Sequence, residues 1–167
     1  MTIYIGIDVG LSGALCFMEE TNITIAPIPI IMNTKKKSGK LYDIPTLNTI
    51  LRAWSIRPCF ATLETITGFG PGGLTAGISI GRGAGIIEAL LAAHNIQYQA
   101  VHPKVWQKAL FNSINKNDTK SASILVAKRL YPKINLIPEG CRKPSDGFSD
   151  ALLLAEYGKR SYKTERR

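Results

Sequence analysis

Two kinds of reactive side chain are scarce in this 167-residue chain, which has two histidines and three cysteines. Cys16, Cys59 and Cys141 are odd in number and lack CxxC spacing, which argues against a disulfide framework or a zinc site and for a reducing compartment. His94 falls at a helix end and His102 before a proline; both read as structural, and no Ser, His and Asp set or activated cysteine points to covalent catalysis. The N-terminus enters a strand pattern with no basic leader, and no apolar run reads as long enough to span a bilayer. The expectation is a cytoplasmic protein without a membrane partner.

Acidic residues are scarce as well. There are 12 Asp plus Glu against 21 Lys plus Arg, a formal net charge of +9. Basic residues gather at Lys35, Lys36, Lys37 and Lys40 and again at Lys159, Arg160, Lys163, Arg166 and Arg167. Such clusters suit a polyanionic partner, although solvated edges would explain them equally well.

The hydrophobic share of 45% is globular, and the length suits one domain over residues 1–167 with a short basic tail from about 159. Residues 3–7 alternate as a strand ending at Asp8, GLSGALCFME reads as a second strand after a glycine turn, and residues 23–30 suit a third. Residues 33–40 read as a polar loop. Ile44, Leu47, Ile50, Leu51 and Trp54 recur at helical spacing, and residues 59–64 form a buried-type strand. After the glycine-rich TITGFGPGG, a long helix is expected over about 74–94 and a short strand over 96–101. Three helices follow, one containing Trp106 and Leu110, one capped near Asp118 or Thr119 and stopped by Pro132, and one over about 146–162. The order implies an α/β fold, a mixed sheet with helices on both faces.

Against this basic background four acids stand out. Asp8 and Glu64 each close an apolar strand, the rigid placement a metal ligand requires. Asp146 and Asp150 are four residues apart, so both fall on one helix face, about 6 Å apart. Singly, each of the last two reads as a cap or as a first-turn acid facing the helix dipole. Together, four acids need protons or cations to offset their repulsion. Hard oxygen donors suit Mg²⁺ or Mn²⁺, and two such ions about 4 Å apart would support phosphodiester hydrolysis.

Gly73, Gly77, Gly81 and Gly85 recur every four residues and offer a smooth helix face for the sheet or a second subunit. Arg82 on that helix reads as a phosphate contact or as an ordinary surface arginine.

The segments GIDVGLSGA, ATLET, SIGRGAGIIEALL, VHPKVWQKAL, KSASILVAKRLYP and SDGFSDALLLAEYG resemble, in order, the blocks of the RuvC family of Holliday junction resolvases, phage-type and chloroplast members above all. The resemblance covers most of the chain. It implies an RNase H-like fold with a five-stranded sheet, a homodimer, and Mg²⁺-dependent paired nicking of four-way DNA junctions with two ions per site, Mn²⁺ able to substitute. By position Asp8, Glu64, Asp146 and Asp150 match the family's metal ligands. Lys108 and Lys120 match its catalytic lysines near the cleaved strand, with Lys104 a neighbouring substitute. Phe69 lies where bacterial members place an aromatic that stacks at the junction centre, with core packing as the other reading. The setting would be a bacterial or phage-infected cell.

Three other readings stand beside this one. The acids alone fit an RNase H-like nuclease for RNA-containing substrates. A noncatalytic branched-DNA-binding protein would use them only as caps. GIDVGLSGA also resembles the phosphate loop of actin-like ATPases, but the chain has no second such loop and is too short for a second lobe.

Overall fold

The structure is a computed structural model that describes residues 1–20, 22–33, 39–65, 73–111 and 119–165, and the side chains of all of these except 119, 120 and 163–165. Its centre is a five-stranded sheet in the order β3-β2-β1-β6-β7. β1 (Ile3–Ile7), β2 (Ala14–Met18) and β3 (Ile23–Pro27) form an antiparallel meander. β6 (Cys59–Glu64) and β7 (Gln97–Val101) continue the sheet in parallel with β1. The short connections 8–13 and 19–22 permit antiparallel return, whereas each parallel strand is reached through a helix.

Alternation along the strands divides the core. Ile3, Ile5 and Ile7 of β1, with Leu15 and Phe17 of β2, meet Leu47 and Leu51 of α1 (Ile44–Trp54) and Ile87 and Leu91 of α2 (Gly73–Ala93). Tyr4, Cys16 and Met18 face the other way. There they join α3 (Pro103–Leu110), α4 (Thr119–Leu130) and α5 (Asp146–Glu165) in a second cluster. Helices therefore cover both faces, as the order of strands and helices implies, and β1 and β2 are buried along their whole length. Asp43 begins α1 by accepting from the Thr46 N–H at 3.1 Å, and Pro45 fits the first turn, where its missing N–H costs nothing.

α5 lies along β1 at very close range. A Cβ on Gly6 would collide with the Ala151 carbonyl and the Ala155 nitrogen, so glycine is what lets this helix touch the strand. Ala151 through Ala155 are all completely buried.

Three expectations need correction. Residues 33–40 are not wholly a loop, because β4 (Ile30–Asn33) and β5 (Gly39–Tyr42) form a separate antiparallel pair. The third strand stops at Pro27 instead of running to 30. α2 does have the length and apolarity of a membrane span, 21 residues with mean hydropathy 1.3, although Gly83, Ile87 and Leu91 are buried against the rest of the protein. The basic residues Lys159 and Arg160 continue α5, which extends to Glu165.

Candidate functional site

The register of the parallel strands places the first two acids side by side. Ile7 pairs with Leu63, so Asp8 and Glu64 leave adjacent strands at the same edge. The Asp8 N–H donates to Ala14 O at 3.0 Å, fixing its backbone to the start of β2. Glu64 pairs with Val101 of β7 and is held by its side chain too, accepting from the Trp106 indole N–H at 3.1 Å.

α5 brings the other two acids to that edge. A Cβ on Gly147 would lie 2.8 Å from Ser12 O and 3.0 Å from Asp8 Oδ2, so the helix begins directly against Asp8. Asp146 is the first helical residue, while the carbonyl of Ser145 accepts from the Ser149 N–H at 3.2 Å and takes the capping position. Asp150 follows one turn later with Oδ1 shielded from solvent. The positive end of the α5 dipole favours carboxylates here. Carboxylates at close range repel one another, and among the described residues no three His, Cys, Asp or Glu side chains close into a ligand set. It is the backbone that delivers them to one edge.

Burial pushes the Glu64 carboxyl above its ordinary value, and the Trp106 hydrogen bond and the nearby His102 pull it back. Trp106 is fully buried and α3 is short, so this bond also fixes how α3 sits against the site. Lys104 and Lys108, four residues apart, occupy the exposed side of α3. His102 caps α3 by accepting from the Lys104 N–H at 3.1 Å, the structural role expected of it. Arg82 is exposed on α2. Lys120 lies in the first turn of α4 but its side chain is outside the described set, and Phe69 lies outside the described residues.

Two neighbours of the acids have no signal in the sequence. Trp106 reads there only as one apolar position of a helix. Tyr42, the last residue of β5, buries a hydroxyl that has no hydrogen-bond partner among the described residues, and its ring fills the space a Cβ on Gly83 would need. Burial first, and then the charge of Asp8, raise its phenol pKa.

No family model matches the sequence, and no curated protein matches it. Solved structures do match. Thermus thermophilus RuvC in complex with a Holliday junction substrate superposes with a TM-score of 0.61 at 12% identity, over 98% of this chain and 96% of that one. A second Thermus thermophilus RuvC structure gives 0.57 at 13% identity over the same shares, 98% and 96%. The yeast mitochondrial Holliday junction resolvase gives 0.53 at 14% identity, over 97% of this chain and 79% of that one. At these identities the likeness speaks to architecture, and the chain has the RNase H-like fold of the RuvC-type resolvases.

Proposed function

We propose that this protein is a metal-dependent, structure-selective DNA endonuclease that resolves four-way junctions by paired, symmetric nicks. The observation that carries the reading is the meeting of Asp8 and Glu64, on paired parallel strands, with the start of α5 that bears Asp146 and Asp150.

The donor chemistry fits divalent cations. All four groups are hard carboxylates, and the glycine at 147 leaves room for α5 to bring its acids against Asp8. Two ions, Mg²⁺ with Mn²⁺ able to substitute, would supply water activation and charge neutralisation at the leaving oxygen of a phosphodiester. Asp8, Glu64, Asp146 and Asp150 would hold them. Trp106 sets the orientation of Glu64, and the strand ends leave Asp8 and Glu64 little freedom to swing away.

The remaining residues act on the DNA. Lys104 and Lys108 on the open side of α3, and Lys120 at the start of α4, neutralise phosphates of the bound strand. Arg82 adds a phosphate contact from α2. Phe69 stacks on a base at the branch point, worth about 1–3 kcal/mol. A homodimer supplies the second site for the second strand, and α2 suits that contact because Leu74 and Ile78 are each 62% exposed on an apolar helix.

The test is cleavage of an end-labelled four-way junction and its matching linear duplex with Mg²⁺, Mn²⁺ or EDTA, alongside Asp8→Asn. Paired nicks in the junction alone, lost with EDTA and in the variant while junction binding persists, are expected. Binding without cleavage would favour a noncatalytic branched-DNA protein, and cutting of an RNA–DNA hybrid alone would favour an RNase H-like activity.

A further inference from the structure

Next to the turn where the start of α5 meets Asp8 lies an open groove of about 800 Å³. It runs between the turn after β1, the segment joining β3 to β4, and the loop before α5. We infer that this groove receives unpaired nucleotides of the DNA strand held for cutting, and so acts as a subsite that determines which sequence is cut. The inference rests on the nuclease reading above.

The groove shares a wall with the candidate site. Ser12 and Gly13 line it, and these same residues pack against Gly147 where α5 meets Asp8. A strand whose phosphate lies at the acids therefore has its next nucleotides at the groove mouth. The walls are apolar, with Leu11, Ile28, Pro29, Pro144 and Phe148 among them. Flat apolar surface suits the faces of unstacked bases and is indifferent to backbone charge. The charge is met separately by Arg142 and Lys143, both exposed on the same loop. A neutral small molecule would have no use for that pair of cations, whereas a nucleotide chain needs both surfaces.

The groove is also largely preformed. Gly13 O accepts from the Ile28 N–H at 3.0 Å, tying two of the walls together, and the Ser145 N–H donates to Leu136 O at 2.9 Å, pinning the loop before α5. Four prolines, at 27, 29, 138 and 144, restrict the lining backbone. Little ordering is left to be done when a strand enters.

Cys141 supplies a native probe, because it lines the groove and is exposed while Cys16 is buried. In a Cys59→Ala chain, Cys141 would be converted to a benzyl mixed disulfide with a methanethiosulfonate reagent, which dithiothreitol reverses. Saturating four-way junction is expected to slow this modification at least tenfold. The modified protein should cut its preferred junction at least tenfold more slowly. It should also lose discrimination between natural nucleotides and abasic sites next to the scissile phosphate, and the reductant should restore both properties. If the protein binds and cuts junctions while Cys141 reacts freely and its modification changes neither rate nor preference, the groove assignment falls alone. If unmodified protein neither binds nor cuts junctions, the assignment falls together with the nuclease reading.

Discussion

α5 and α2 are nearly equal in length, 20 and 21 residues, yet they relate to the protein in opposite ways. α5 is sunk against β1, with Ala151 to Ala155 inaccessible and a glycine opposite them, and its first two turns carry Asp146 and Asp150. α2 is the more apolar helix, but its buried residues are Gly83, Ile87 and Leu91, and a Cβ on Gly81 or Gly85 would meet nothing within 4 Å among the described residues. Apolarity alone therefore does not decide which helix belongs to the core. The tight fit of α5 sets its N-terminus against the end of β1, and on the proposed reading the exposed face of α2 is where a second subunit would pack.

The contrast can be broken most severely at Gly6. A Gly6→Val side chain must push against the backbone of Ala151 and Ala155, which cannot rotate aside. The expected loss is at least about 3 kcal/mol, above the usual range for overpacking, with failure to fold in the extreme. Urea denaturation measures it, and a loss below about 1 kcal/mol would mean that α5 is not locked to the sheet as described.

Gly147→Ala probes the same helix where it meets the acids. Its Cβ would crowd Ser12 O and Asp8 Oδ2 at 2.8 and 3.0 Å. Junction cleavage is expected to fall about 100-fold through displacement of Asp8, with a stability loss of only about 1–3 kcal/mol. Equal junction cleavage by the variant and the parent would show that this contact does not position the site.

On α2 the same kind of change should act the other way. Gly81→Ala and Gly85→Ala meet no neighbour among the described residues and should each add up to about 1 kcal/mol of helix stability. The added methyl groups should also weaken a dimer built on that face. Sedimentation equilibrium that found the variant as dimeric as its parent would move the subunit contact off the glycine face.

The smallest effect concerns Cys59, the first residue of β6. Burial pushes its thiol up from 9.0 to about 11. Between those values the unfolded thiol has lost its proton and the folded one keeps it, so stability falls as pH rises through that window. Cys59→Ala should flatten this part of the stability profile, and an unchanged slope would assign it to other groups.

Much of this was legible in the residues. The alternation of Ile3, Ile5 and Ile7 and their abrupt stop at Asp8 define a strand and where it ends, and the same holds for the run into Glu64. The β4–β5 pair was hidden because its strands have four residues each and flank the lysine-rich stretch at 35–37, which reads as loop. The bond from Trp106 to Glu64 joins residues 42 apart in sequence, and no local pattern announces such a contact. Ser145 takes the capping place that Asp146 could have filled, a shift of one residue that leaves the acid on the helix and near its partners.

The central claim is that β1, β6 and α5 together present one divalent-cation site. Fe²⁺ substituted for Mg²⁺, with ascorbate and peroxide, cuts polypeptide backbone close to where the ion is held, so mapping the cuts reads the ligand set without any DNA. Cuts clustered near residues 8, 64 and 146–150, competed by Mg²⁺ and lost in Asp8→Asn, are predicted. Cuts elsewhere in the chain, or a pattern indifferent to Asp8→Asn, would contradict the account.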